Sequence, residues 1–456
     1  MKKNHRALLR GLGCVVLGLV WMGGVQAAWS LETIGQQAKG EVEAAFEKGD
    51  FEKTLELLEP LLKADPQSSK FNRLHMLSLV LLGKSKEGFS AYEKVVIQTG
   101  REDDMLLREL AIKSILPFRM DMREQIRGAS YSALREIDSD TMVPYLVIGL
   151  QDKTGMVRAL VVEGLGKFPN GRKSQEFLDA LNDQAGLVRA YVLKGLGRSQ
   201  NRAHVSLVKK SLEDKQEVVQ VAAAGALYRL GLKEYWNRVK KGASVDEGYE
   251  RGAALRMLGE LGDARALPIL RQGLQDPQPS IRAAAVASLG QLGLPEAVPD
   301  LLDALSEKIP AVRSVAAVSL GKLQAESAVP ALTKHLHDSN PGVRAATVAA
   351  LLQMNSPYNM VANTVRALMQ TDTPGIRSAV AKALANGRRR DVVGPLSILL
   401  TDPVPRPRIT AARSLGRVGG RELLPLLKEA LQDQDDAVRV TAAAAIVKIL
   451  DSPSFS

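Results

Sequence analysis

The sequence predicts an all-α solenoid, a stack of short helix pairs, on three observations. An arginine recurs at a constant step through most of the chain, as at Arg127, Arg158 and Arg189. An acid recurs at a fixed place before it, as at Asp121, Asp152 and Asp183. Aromatic residues are only 4% of the composition while Ala, Leu and Val dominate, which suits close helix packing and poorly suits a β-sandwich.

At 456 residues the chain exceeds what one compact core usually holds, so several domains or a repeat array is expected. Residues 1–27 read as a signal peptide. Lys2, Lys3, Arg6 and Arg10 form its positive start, Gly11 to Val25 is apolar and uncharged, and Val25-Gln26-Ala27 sets small residues where a signal peptidase cuts. Cleavage is expected after Ala27, which makes the protein periplasmic or secreted. The apolar run is shorter than the roughly 20 residues of a spanning helix, so no integral membrane domain is expected after cleavage. Retention of the segment as an anchor is the alternative. Cys14 is the only cysteine, so the mature chain is expected to hold no disulfide, no thiolate nucleophile and no cysteine metal site. The formal charge of +11 drops by four with the signal's basic residues, leaving a moderate excess that hints at anionic partners.

Residues 31–100 read as helical hairpins. Gly49-Asp50-Phe51 precedes Leu55, Leu58 and Leu62, and Asp65-Pro66 ends that run. Leu82-Gly83-Lys84 restates the glycine turn, and the step from Gly49 to Gly83 is 83 − 49 = 34. The stretch resembles the tetratricopeptide repeat, whose period is the same. Residues 101–120 read as a linking helix.

The repeat array is expected over 121–451, as about 10–11 units, with a tail at 452–456. The arginine ladder runs Arg127, Arg158, Arg189, Gln220 (substituted), Arg251, Arg282, Arg313, Arg344, Arg377, Arg408 and Arg439. Every step is 31 except the 33 between Arg344 and Arg377. The acids are Asp121, Asp152, Asp183, Asp214, Asp276, Glu307, Asp338, Asp402 and Asp433, broken by Val245 and Thr371. Leu-Gly pairs such as Leu289-Gly290 follow, and then runs such as Pro299, Leu301 and Leu305.

The sixth repeat shows the physics of one unit. Pro279 suits the first position of helix A, where a missing N–H costs nothing. Helix A runs from about Pro279 to Leu292, with Ile281, Ala285 and Leu289 on one face, and Gly293 stops it. Helix B runs from about Glu296 to Leu305 and buries Val298, Leu301, Leu302 and Leu305. One pair cannot bury its faces alone, so neighbours must stack. Repeat four keeps its register but lacks the arginine, the Leu-Gly pair and the following acid. The last repeat stops after helix A, near Leu450, as a terminal cap would.

This pattern resembles the HEAT-repeat family, specifically the short HEAT-like repeats of phycobilisome lyases. The resemblance implies Asp and Arg side chains that bond loop to helix between neighbouring repeats, and a concave side lined by helix B. On helix B, Lys209, Lys210, Lys240, Lys241, Arg271, Lys334 and Arg366 align, so a basic stripe is expected on that concave face. It would take a protein partner or an anionic ligand, although charge runs are usually plain solvated surface. Arg388-Arg389-Arg390 is expected in a loop, and Trp236 in the core.

No cofactor or metal is expected. His335 and His337 are two apart on one helix and face apart, whereas a metal pair wants i, i+4. No phosphate loop and no nucleophile elbow appears. The leading expectation is therefore an exported, non-enzymatic interaction scaffold that binds a protein partner on its concave face. A bilin-lyase-like enzyme or chaperone, by resemblance, is the first alternative. Polyanion or nucleic-acid binding through the stripe is the second. The array is expected to be a superhelix with a contour on the order of 100 Å, its curvature not set by the sequence.

Overall fold

The computed structural model describes residues 40–452. The signal segment, its cleavage site, Cys14 and residues 453–456 lie outside the described residues. All regular structure among the described residues is helical, and the chain divides into two compact units at Leu110/Ala111. No helix in this range is long and apolar enough to cross a membrane.

In the first unit, Phe51–Ala64 packs on Ser69–Leu81, which packs on Ser85–Thr99. The Asp50 and Ser68 side chains cap the first two of these by accepting backbone N–H bonds from Lys53 and Phe71. The paired turn glycines, Gly49 and Gly83, both take left-handed backbone, at φ +78° and +77°. Val42, Leu58 and Phe71 are buried together. The division between the units falls inside the helix Asp104–Ile115, within the stretch read as a linker.

The second unit holds the repeats. In repeat six, helix A is Pro279–Leu292, and Gly293 ends it at φ +80°. Helix B is a short 3-10 turn, Pro295–Ala297, followed by Val298–Ala304. Leu301 and Leu305 are fully buried, whereas Val298 and Leu302 are only half-buried. Every fully buried Leu of this kind contributes about 1.5–3 kcal/mol. Pro279, Pro310, Pro341, Pro374 and Pro405 all sit in the first turn of their helices.

Each helix A packs directly on the next helix A, from Glu124–Glu136 in repeat one to Asp436–Asp451 in repeat eleven. The helices B pack chiefly on helices A, and do not form such a layer. Glycine makes the close approach possible. A Cβ at Gly321 would stand 2.8 Å from the Ala350 Cα, and one at Gly416 would stand 2.7 Å from the Ala445 Cβ.

The last helix A also packs on the first, so the array closes into a ring. The helix-pair stack holds as the sequence predicts, but its ends meet, and the final helix is a joint instead of a free cap. The direct A–A layer has the shorter circumference and lies inside; the spread B helices lie outside. This reverses the expected layers. Eleven helices about 9 Å apart set their axes on a circle about 30 Å across. With a helix about 10–12 Å thick, the opening is about 20 Å wide.

Candidate interaction surface

The ladder is spent on stacking. Each ladder Arg Nη1 donates to the backbone carbonyl six places before it, and in eight of the ten ladder arginines the rest of the guanidinium donates to the acid of the next repeat. Arg158 donates to the Asp152 carbonyl at 2.8 Å and to the Asp183 carboxylate at 2.6 and 2.8 Å. Asp183 in turn accepts the Ala185 N–H at 2.8 Å. The same stitch joins Arg127 to Asp152, Arg189 to Asp214, Arg251 to Asp276, Arg282 to Glu307 and Arg313 to Asp338. It resumes at Arg377–Asp402 and Arg408–Asp433. Arg127, Arg158 and Arg189 are buried.

The two gaps in the acid ladder now have a reason. Gln220 and Val245 are the two halves of one missing rung, spaced along the chain as Arg158 and Asp183 are. Gln220 keeps the backbone half through the Asp214 carbonyl at 2.6 Å, and its Oε1 accepts from Arg238 of helix B. Thr371 stands where the acid for Arg344 would be, so Arg344 holds only the Asp338 and Ser339 carbonyls. Rebuilding the missing rung is a test. Gln220→Arg alone places two guanidiniums together and should lower the denaturant midpoint. Adding Val245→Asp should recover at least the loss, with a double-mutant coupling of about 0.5–3 kcal/mol.

At the ring joint the rung changes form. Arg123 bonds Asp121 at 2.8 Å and Asp436 at 2.5 Å, and Asp436 also accepts from Arg439. Asp121 is held down to about 2 by its hydrogen bond to Arg123, against the opposing effect of burial. Asp338 is held down to about 2 by Arg313, again against burial. For Asp152, Asp183 and Asp402 burial pushes upward most strongly, but the bond from the arginine and that from a backbone N–H together outweigh it, so each carboxyl is still held down. These folded-state values lie below the unfolded value of about 3.9. The ladder's stabilisation is therefore complete above about pH 4 and lost as pH falls towards 2. Thermal melting followed by circular dichroism should hold level from pH 7 to 5 and drop steeply below 4.

The basic stripe read from helix B lies on the outer layer. Lys209, Lys210, Lys240, Lys241, Arg271, Lys334 and Arg366 are exposed there. Arg271 pairs with Asp300 at 2.9 Å, and Arg366 donates to the Asn363 side chain at 3.1 Å. They do not line a concave face, because the helices that carry them are not the inner ones. Arg389 and Arg390 open the helix Arg389–Leu400, where the sequence predicts a loop, and Arg389 pairs with Glu422 at 2.8 Å. Trp236 is buried, with the Arg265 guanidinium 4.5 Å from its ring centre.

The inner wall belongs to two positions of helix A, five and nine places after the ladder arginine. In repeat six these are Ala287, half-buried, and Gln291, exposed, between buried neighbours. Ion pairs that skip a helix mark the concavity. Lys194 of repeat three reaches Glu260 of repeat five at 2.6 Å, over repeat four, where position five is Gly225. Arg413 of repeat ten reaches Glu136 of repeat one at 2.8 Å, over Ala444 of repeat eleven. Side chains from alternate helices converge in this way only on a concave surface. A recess of about 190 Å³ at the joint is lined by Glu136, Arg413, Arg417, Thr441 and Lys448 among others.

Row nine is basic at Lys167, Arg198, Arg229, Lys322, Arg417 and Lys448. Row five is basic at Lys194, Arg256, Lys382 and Arg413. The acids in the two rows are Glu136, Glu163 and Glu260. Sequence reasoning missed these rows because it aligned helix B; the same ladder, read along helix A, carries the signal. Among the described residues no group of His, Cys, Asp and Glu is arranged to hold a metal ion.

A family model for HEAT repeats matches residues 174–250, 237–320, 298–385 and 392–454. No curated protein matches the chain. Among solved structures, human deoxyhypusine hydroxylase is similar at 21% identity, over 55% of this chain and 98% of that one, with a TM-score of 0.30. The complex of the two phycocyanin lyase chains from a Nostoc species is similar at 18% identity, over 57% of this chain and 92% of that one, with a TM-score of 0.34.

Proposed function

This chain belongs to the HEAT-repeat family, and on that premise we propose that it is an exported interaction scaffold that holds a protein partner against the inner wall of its ring. One observation carries the reading. The recurring ladder charges are consumed between repeats, while the wall keeps exposed cations, Arg198, Arg256 and Arg417 among them, that make no ion pair among the described residues. Export is supported by the sequence of residues 1–27, with its basic start, apolar run and small-residue end.

A photo-crosslinking residue at Ala287, on the wall, compared with one at Lys209, on the outer layer, tests the binding face. Cross-linked partner is expected from Ala287 and not from Lys209. Cross-links from Lys209 alone would move the site outside, and none from either would remove the scaffold reading. Fractionation tests export separately: the expected product starts at Ala28 and lies outside the cytoplasm, and a cytoplasmic chain that keeps Met1 would overturn it.

A further inference from the structure

We propose that the guest of the inner wall is an acidic segment of polypeptide, a carboxylate-rich stretch of a partner protein. The inference rests on the scaffold reading and adds the chemistry of what is held. Charge is the first argument. Rows five and nine carry ten cations against three acids, so most of the chain's formal excess of +11 is gathered on one wall. The helix dipole accounts for part of row nine, which lies at the helix C-termini, where cations are favoured. It does not account for Lys194, Arg256 and Arg413, which stand before the last turns of their helices. Contacts between repeats account for Lys194 and Arg413, which pair with Glu260 and Glu136, but not for Arg256, because the stitching of its repeat is done by the ladder on another face.

The wall also shows which anion suits it. Its bound anions are carboxylates: Glu260 on Lys194, Glu136 on Arg413, and Glu163 on Arg135. A guest carboxylate would find the same donors at Arg198, Arg256, Lys322, Lys382 and Arg417, which are exposed and make no ion pair among the described residues. Binding to single-stranded nucleic acid uses aromatic side chains on which bases stack. No residue in rows five or nine is aromatic. Two tyrosines lie beside the rows: Tyr191 is half-buried, with burial and Glu163 pushing its hydroxyl upward, and Tyr249 is exposed, too few to stack a run of bases. An opening about 20 Å wide admits an extended chain or one α-helix about 10–12 Å thick.

The test uses the full chain and a fluorescent oligoglutamate peptide, with single-stranded DNA of equal charge as the comparison. The double variant Arg256→Glu with Lys382→Glu should weaken peptide binding by about tenfold or more. Arg256→Lys with Lys382→Arg should bind as the unaltered chain does, which separates charge from folding. Lys209→Glu with Lys240→Glu, on the outer layer, should leave binding unchanged. Equal losses from inner and outer reversals would overturn the proposal, since any cation would then serve. DNA binding as tight as the peptide's, and as sensitive to the inner reversal, would overturn it in favour of nucleic acid. No peptide binding while Ala287 still cross-links a partner would overturn the acidic guest and leave the scaffold standing. Loss of both would overturn both.

Discussion

Ending the chain at Asp435 should open the ring. The last helix A, Asp436–Asp451, buries Val438, Val440, Ile446, Val447 and Ile449. At about 1.5–3 kcal/mol for each large buried side chain, the lost burial is on the order of 10 kcal/mol, as large as the stability of many domains. Two faces lose cover together, that of repeat ten and that of repeat one. The shortened chain should show a melting temperature lower by at least about 10 °C, dye binding to exposed apolar surface, and a larger radius of gyration by scattering. A stable product with unchanged scattering would mean that the joint does not hold the ring closed.

The second large effect comes from cutting one rung of the ladder. Arg158→Met keeps most of the side-chain volume and removes the guanidinium that serves Asp183 and the Asp152 carbonyl. Asp183 then stays in place with its main partner gone. Removing one member of a buried pair costs about 3–5 kcal/mol, far more than the pair contributes over an apolar substitute. The urea midpoint at pH 7 should fall accordingly. Adding Asp183→Leu should return much of the loss, because the stranded charge goes with it. The protein has made a similar change in repeat four, where Gln220 and Val245 replace both members of one rung. If Arg158→Met costs less than about 1 kcal/mol, the ladder is surface decoration and its pH dependence should vanish too.

Much of this fold is legible in the sequence, and the illegible part has a physical cause. The constant period, the first-turn prolines and Gly293 fix repeat six's helix A at Pro279–Leu292, because these signals act within one turn of chain. Placing the inner layer needs one further step. Leu-Gly pairs on helix A let like helices touch, and the layer whose helices touch must have the shorter path around the ring. Gly321 against Ala350 carries that information. The closure itself leaves no periodic trace. Arg123 and Asp436 lie far apart in the chain, and each departs from the ladder that surrounds it. The wall cations are visible in the sequence as letters. Only the curvature, seen where Lys194 crosses repeat four to Glu260, shows that they face one another.

The ring also fixes its own census. An open stack can gain or lose a repeat at either end, and every other interface stays as it was. Here each joint turns one-eleventh of a full circle, so a duplicated or deleted module would force a new angle on all the remaining joints at once. Those joints are tightened by glycines with no slack against the next backbone. Copy number should therefore be held far more rigidly in this chain than module sequence, and tandem duplication, the ordinary route by which repeat arrays lengthen, is closed to it.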